Sequence, residues 1–178
     1  MMAYLENARL RLRALEPEDL DILYKWENNT ALWIHGNTLS PYSRYLLKQY
    51  IADSAAGLEV QKQLRLIIET KAGESVGIID LYDYDSFHSR AGVGLLIAPE
   101  YQHRGFGTEA VALMEAYAFQ YLHLHQLFVH VPENNKASLS LFVRNGFERS
   151  GKLNDWLFLP DGYENVIVLQ KISSSKVL

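Results

Sequence analysis

The sequence predicts a mixed α/β fold, on three observations. Leu64 to Glu69 and Val76 to Tyr84 are apolar-rich runs joined by Lys71-Ala72-Gly73-Glu74, a strand–turn–strand pattern. Leu95-Leu96-Ile97-Ala98-Pro99-Glu100-Tyr101-Gln102-His103-Arg104-Gly105-Phe106-Gly107-Thr108 reads as a buried strand, a break, a glycine turn and a helix start. Ala110, Met114, Tyr117 and Tyr121 then recur at helical spacing, as on a helix with one buried face.

The other elements follow in order. Arg9 to Arg13 alternates charged and apolar residues, as a strand with one buried face does. Pro17 opens a helix with Glu18 and Asp19 in its first turn; Leu20, Leu23, Tyr24 and Glu27 keep the spacing, and Asn28-Asn29 stops it. Ser40-Pro41 is expected to start a second helix, running to about Ala55. Asp85 to Ser89 is a turn into the strand Ala91 to Ile97. Gln126 to Val131 is a strand, and Asn135 to Arg144 a helix closed by Asn145-Gly146 as a left-handed cap. Asp155 to Leu159 and Tyr163 to Lys171 form a hairpin over Pro160-Asp161-Gly162. The order is β-α-α-β-β-β-α-β-α-β-β.

The 178 residues suffice for one domain over residues 1–178, with a core from about 9 to 172 and a tail at 173–178. The hydrophobic fraction of 48% and charged fraction of 21% are those of a soluble globular chain. A net charge of −4 argues against nucleic acid as a partner and suits a cationic small substrate better. With no cysteine, a thiol nucleophile, a thiolate metal site and a disulfide framework are excluded. No apolar run approaches the roughly 18 residues of a membrane span and no secretory signal is visible, so a cytoplasmic location is expected. His123-Leu124-His125 has metal-like spacing but lacks a third ligand, so no metal site is expected.

The glycine turn has two readings. A helix N-terminus offers unpaired N–H donors and a positive dipole end, and glycine lets a ligand approach the backbone, so the turn could cradle a phosphate. Gln102, His103, Arg104 and Thr108 add polar or cationic groups there. Alternatively, the turn is only structural, because it lacks both the full dinucleotide fingerprint and the Lys-Ser/Thr of a Walker loop.

A second segment bears on the choice. Asn135-Lys136-Ala137-Ser138-Leu139-Ser140-Leu141-Phe142-Val143-Arg144-Asn145-Gly146-Phe147 follows a strand, after the helix that the glycine turn opens. The two segments resemble the signature blocks of the GNAT N-acetyltransferase superfamily, Q/R-x-x-G-x-G/A after a strand and N-x-x-S-x-x-L-(Y/F)-x-x-x-G-F. Leu10-Arg11-Leu12-Arg13 and Trp26-Glu27-Asn28-Asn29 are similar to the branch of ribosomal-protein N-terminal and spermidine N-acetyltransferases. The resemblance runs roughly from Arg9 to Ile172.

That resemblance implies a GNAT fold: a central mixed, mostly antiparallel sheet with helices on both faces. It implies an acetyl-CoA-dependent N-acetyltransferase acting on a primary amine, either a polyamine-like small amine or a protein N-terminus. The backbone of Leu95, Leu96 and Ile97 would pair with the pantetheine arm, Gln102, His103, Arg104, Gly105, Phe106, Gly107 and Thr108 would hold the pyrophosphate, and Asn135 would bond to the pantetheine or thioester region. Asp80 and Asp83 match acidic positions of the spermidine branch, Asp80 as a candidate base and Asp83 toward the substrate. Tyr163 matches a tyrosine of the final hairpin near the acceptor site, a candidate catalytic residue that would orient the amine or replace a missing phenol, and Trp33 and His35 lie where the first helices cover the acceptor cleft; Trp26 is expected in the core. Related enzymes range from monomers to large rings, so a homo-oligomer is possible.

Two positions depart from the family pattern. Phe142 stands where many members have a tyrosine thought to protonate the leaving thiolate, and phenylalanine has no proton to give. Gly92 stands where the spermidine branch has a glutamate. In a regular strand Asp80 and Asp83 face opposite sides, so only one would reach the cleft unless the strand bulges. These departures leave a second reading, a catalytically weak CoA-binding sensor or scaffold of the same fold. A nucleotide-binding domain would leave the Asn135 helix unexplained.

Overall fold

The computed structural model describes residues 4–33 and 38–174. Seven strands form one sheet in the order β1-β2-β3-β4-β5-β7-β6. They are β1 (Leu10–Ala14), β2 (Leu64–Thr70), β3 (Ser75–Asp85), β4 (Arg90–Ile97), β5 (Gln126–Pro132), β6 (Glu148–Leu159) and β7 (Gly162–Ile172). Every neighbouring pair is antiparallel except β4 and β5. Parallel neighbours need a crossover, and α5 (Phe106–Ala116) supplies it.

The β4–β5 pairing is short. It runs from Arg90 opposite Gln126 to Gly92 opposite Phe128 and then stops. Beyond it the strands diverge, leaving a gap bounded by Val93–Ile97 and Val129–Pro132. Ala98 donates its N–H to Val76 of β3 at 2.9 Å. Strand alternation therefore turns Leu96 toward β3 and leaves the N–H and C=O groups of Leu95 and Ile97 on the open edge.

Alternation also sorts the core. Leu66, Ile68, Ile79, Leu81, Val93, Leu127 and Val129 pack on one face under α5 and α6 (Lys136–Arg144). Ile67 and Ile78 pack on the other face under α1 (Leu20–Glu27) and α3 (Arg44–Asp53), which contribute Leu23, Trp26, Leu47 and Ile51. Trp26 is buried as expected.

Several boundaries differ from the sequence reading. Pro17–Asp19 is a separate 3-10 turn before α1. The second helix does not start at Ser40-Pro41: Ser43 caps α3, its hydroxyl accepting from the Leu46 N–H at 3.1 Å. Short helices α2 (Thr30–Trp33) and α4 (Leu58–Gln61) fill stretches with no clear period. After Ala116 the crossover helix widens to i→i+5 bonding over Tyr117–Tyr121, with Leu122 donating to the Tyr117 carbonyl at 3.0 Å. β6 begins at Glu148 rather than Asp155; as an exposed edge strand with two register shifts it carries no apolar alternation to read. Gly146 takes φ 85° and closes α6 as the sequence indicated.

Candidate active site

The turn between β4 and α5 is built to expose N–H groups. His103 and Gly105 both adopt left-handed backbone, at φ 61° and 84°. Successive residues of opposite hand aim their amides into a common concavity, a conformation that glycine, and to a lesser degree histidine, tolerates. Gly105 occupies the N-cap of α5 and no side chain caps it, whereas Ser43 caps α3 and Asn135 caps α6. The first-turn donors of Phe106, Gly107 and Thr108 thus meet no capping side chain. Arg9 lies beside them: it forms an ion pair with Glu109, donates to the Arg104 carbonyl at 3.1 Å and stacks 5.0 Å over the Phe106 ring. Arg9 balances the acid in the first turn of α5, a role invisible in a sequence where these residues are so far apart.

Gly107 has a different reason to be glycine from the one expected. A Cβ there would sit 2.8 Å from Leu141 Cδ1 and 3.3 Å from Leu95 Cδ2. Its missing side chain lets α5 approach α6 and β4; only its backbone faces the turn. Phe106 is likewise a core side chain. Gln102 folds back, donating from Nε2 to the Ile97 carbonyl at 3.1 Å, so one acceptor of the open edge is already used. Asn135 accepts from the Ser138 N–H at 3.1 Å through Oδ1.

The acidic segment of β3 resolves differently at its two aspartates. Arg65 forks Asp80, donating from Nε at 2.9 Å and from Nη2 at 2.8 Å, and also pairs with Glu27. Burial opposes the charged guanidinium, but Asp80, Tyr50 and Glu27 outweigh it and hold the Arg65 pKa above its ordinary value. Both Asp80 oxygens are engaged by this cation, which weakens the case for Asp80 as a base. Trp33 donates its indole N–H to the Glu27 carbonyl at 2.7 Å, beside the same cluster. His35 lies outside the described residues.

Asp83 sits in a bulge. The β3–β4 register shifts between Tyr82 and Asp85, and Asp83 takes φ 47°. The extra residue turns its side chain to the side Asp80 faces. Asp83 lines an open groove of about 320 Å³ with Arg90, Gln126, Phe128, His130 and Gln170. Among the described residues it makes no ion pair. His130, which sequence reasoning passed over, stands on the same wall.

Tyr163 is elsewhere. It is 66% exposed, meets the Phe158 ring at a tilt with 5.4 Å between centroids, and lines a separate groove with Glu133, Lys136 and Asn165. Val168, opposite His130, is five positions further along β7, roughly 17 Å at about 3.4 Å per residue. The structure does not bring Tyr163 and Asp80 together. Phe142 is 2% exposed and packs edge-on against Phe147 at 5.2 Å.

The family model for the acetyltransferase (GNAT) domain matches residues 9–148. This chain belongs to the GNAT acetyltransferase family. Spermidine N(1)-acetyltransferase of Escherichia coli (strain K12) is 29% identical to the GNAT chain over 161 residues, covering 89% of it and 83% of that protein. The putative ribosomal N-acetyltransferase YdaF of Bacillus subtilis (strain 168) is 27% identical over 176 residues, covering 90% of each. Spermidine N-acetyltransferase from Vibrio cholerae, solved with CoA and spermine, superposes with a TM-score of 0.85 at 27% identity, covering 94% of this chain and 98% of that one.

The GNAT chain is accordingly an acetyl-CoA-dependent N-acetyltransferase. Acetyl-CoA supplies an acyl group activated as a thioester. The residues present suit it: an uncapped helix start beside a nest of amides, and a strand edge with free backbone groups leading from that nest into the sheet. Among the described residues no helix is long and apolar enough to cross a membrane, and no three His, Cys, Asp or Glu side chains cluster as for a metal.

Proposed function

We propose that the acceptor is a small cationic amine of polyamine type, held in the groove of Asp83, Phe128 and His130, while the cofactor occupies the β4–β5 gap. The observation that carries this reading is the bulge at Asp83, which puts an unpaired carboxylate on the groove wall next to the end of the gap. Asp83 attracts the ammonium group, Phe128 packs on methylenes, and the His130 imidazole takes the proton that an amine must lose before it attacks. The Arg65–Asp80–Glu27 cluster behind the site adds one net negative charge, which favours a cation again. In the gap, Leu95 and Ile97 bind the pantetheine arm, the turn from Gln102 to Thr108 binds the pyrophosphate, and Asn135 closes the mouth of the gap. Trp33 borders the acceptor side.

The names of two relatives, which concern spermidine, support the polyamine reading; YdaF, named as a ribosomal enzyme, keeps a peptide N-terminus as the competing acceptor. Acetyl-CoA is an intracellular metabolite, which supports a cytoplasmic location. The exposed β6 edge supports self-association, which sedimentation would measure. Release of CoA from acetyl-CoA is the test, across spermidine, spermine, short diamines, amino acids, aminoglycosides and peptides with free N-termini. Acceleration by di- and polyamines, with kcat/KM reduced both in Asp83→Asn and in His130→Gln, is the expected result. Acceleration by peptides alone would replace the acceptor reading. The buried phenylalanine at position 142 favours the sensor reading, which gains if acetyl-CoA binds but no amine accelerates its turnover.

A further inference from the structure

Tyr82 occupies the closed end of the gap. It stands directly opposite Gly92 on β3, and its ring lies flat over that glycine: a Cβ at Gly92 would fall 2.3 Å from the carbon that bears the hydroxyl. The ring meets Phe128 edge-on at 5.7 Å. It therefore spans the last pair of the β4–β5 ladder, Gly92 opposite Phe128, where the strands separate. The first β5 amide past that pair on the gap side belongs to His130, and it interacts with the Tyr82 oxygen. Because the oxygen accepts from this N–H, its own hydrogen stays available to donate.

We propose that the Tyr82 hydroxyl donates a hydrogen bond to the acetyl oxygen as it becomes an oxyanion, making Tyr82 a catalytic residue of this enzyme. The open edge of β4 ends at the Gly92–Phe128 pair, and Phe128 also lines the acceptor groove, so an acyl group carried along that edge halts beneath the phenol. The chain His130 N–H to Tyr82 O–H to acetyl oxygen is polarised in one direction, which strengthens each link in a site of low dielectric. Burial, with the charge of Asp83 added, pushes the Tyr82 pKa up to about 12, although the His130 amide opposes the shift. The group thus keeps its proton and acts as a donor, not as a base. No proton need leave it: the neutral amine nitrogen forms its bond to the acyl carbon and sheds one proton, the acetyl oxygen takes up negative charge and returns it as the carbon–sulfur bond breaks, and the electron pair departs on the CoA sulfur, where a proton carried by water replaces the one lost from nitrogen. Gly92 is required because any side chain there would displace the phenol. The inference rests on the acetyltransferase activity and not on which amine is accepted.

Tyr82→Phe removes the hydroxyl and keeps the ring. Losing one oxyanion donor is expected to lower kcat about 100-fold or more, with CoA affinity by calorimetry unchanged and the variant still unfolding cooperatively in urea. A readout without turnover uses the ketone analogue of acetyl-CoA in which a methylene separates sulfur from carbonyl. Its infrared carbonyl stretch is expected at lower frequency when bound to the parent protein than to Tyr82→Phe. Gly92→Ala, which pushes the ring aside, is expected to act in the same direction. An unchanged kcat in Tyr82→Phe, or a carbonyl stretch identical in parent and variant, overturns the proposal. The infrared arm needs no acceptor, so a wrong acceptor leaves it intact.

Discussion

Arg65→Met tests whether the acidic cluster is a structural triad or a catalytic device. Arg65, Asp80 and Glu27 have side chains only 18%, 15% and 17% exposed, so water screens them little. With charge centres about 4 Å apart and an effective dielectric of about 20, each pair attracts by roughly 4 kcal/mol. Much of that offsets the cost of burial, and removing one partner of such a group typically costs about 3–5 kcal/mol because the others stay buried and unpaired. Here two carboxylates would face each other. A loss near 3 kcal/mol, at a urea slope of about 2–3 kcal/mol/M, moves the midpoint down by about 1 M or more. Adding Asp80→Asn and Glu27→Gln to Arg65→Met should recover at least half of it, as the repulsion disappears. Urea unfolding followed by tryptophan fluorescence measures all of these. A midpoint within about 0.3 M of the parent for Arg65→Met, or strictly additive losses in the combined variant, would refute the triad. The same series bears on Asp80. If the triad is structural, Asp80→Asn loses activity only in step with stability and its pH–rate profile keeps its shape.

Other outcomes follow from the packing and charges. Asp83→Asn, at an unpaired groove position, should leave the urea midpoint unchanged within about 0.5 kcal/mol while raising KM for a diamine, read from steady-state kinetics. Gly107→Ala should destabilise by about 1–3 kcal/mol through overpacking on Leu141, with Leu141→Val restoring part of it and CoA affinity changing little; a selective loss of affinity would return this glycine to the cofactor groove. Asp19 is pushed up by burial, but hydrogen bonds from Arg13 and the Glu16 N–H outweigh this and hold its pKa low; Glu69 is held low chiefly by Arg13. The stability from both is present above the usual carboxylate range and is lost as pH falls through the lowered values, so unfolding midpoints should drop below about pH 4, less steeply in Arg13→Met. Phe142→Tyr should cost about 1–3 kcal/mol through a buried hydroxyl without raising kcat; a faster enzyme would show that this ring edge reaches the gap and that thiolate protonation limits the rate.

Local patterns in the chain were enough for the order of elements because each carries its own signal. The helical spacing from Ala110 to Met114, the glycine punctuation at Gly105 and Gly146, and the hairpin at Lys71–Glu74 all depend on near neighbours. What escaped reading depends on distant partners. Arg9 meets Glu109 across two elements, Arg65 meets Asp80 and Glu27 across three, and no local window contains both sides. Ser43, the actual cap, is masked in the sequence by Ser40-Pro41, which offers the stronger nominal start signal. The first half of β6 is not legible in the sequence because an edge strand exposed on both faces has no hydrophobic period to display.

The two aspartates show how one local exception redirects a site. Alternation separates Asp80 from Asp83, and it would have left a single carboxylate on the acceptor side. One residue in left-handed backbone at Asp83, a conformation aspartate tolerates better than most side chains, reverses that conclusion. The outcome is that Asp80 is bound to Arg65, while Asp83 lines the groove and makes no ion pair among the described residues. Gly92 invites the same reconsideration. Read alone, it is a glutamate lost. Beside Tyr82 it is the space a phenol needs to reach the end of the β4–β5 ladder. An enzyme with phenylalanine at position 142 then still has a hydroxyl at the centre of its sheet, delivered by β3 instead of α6.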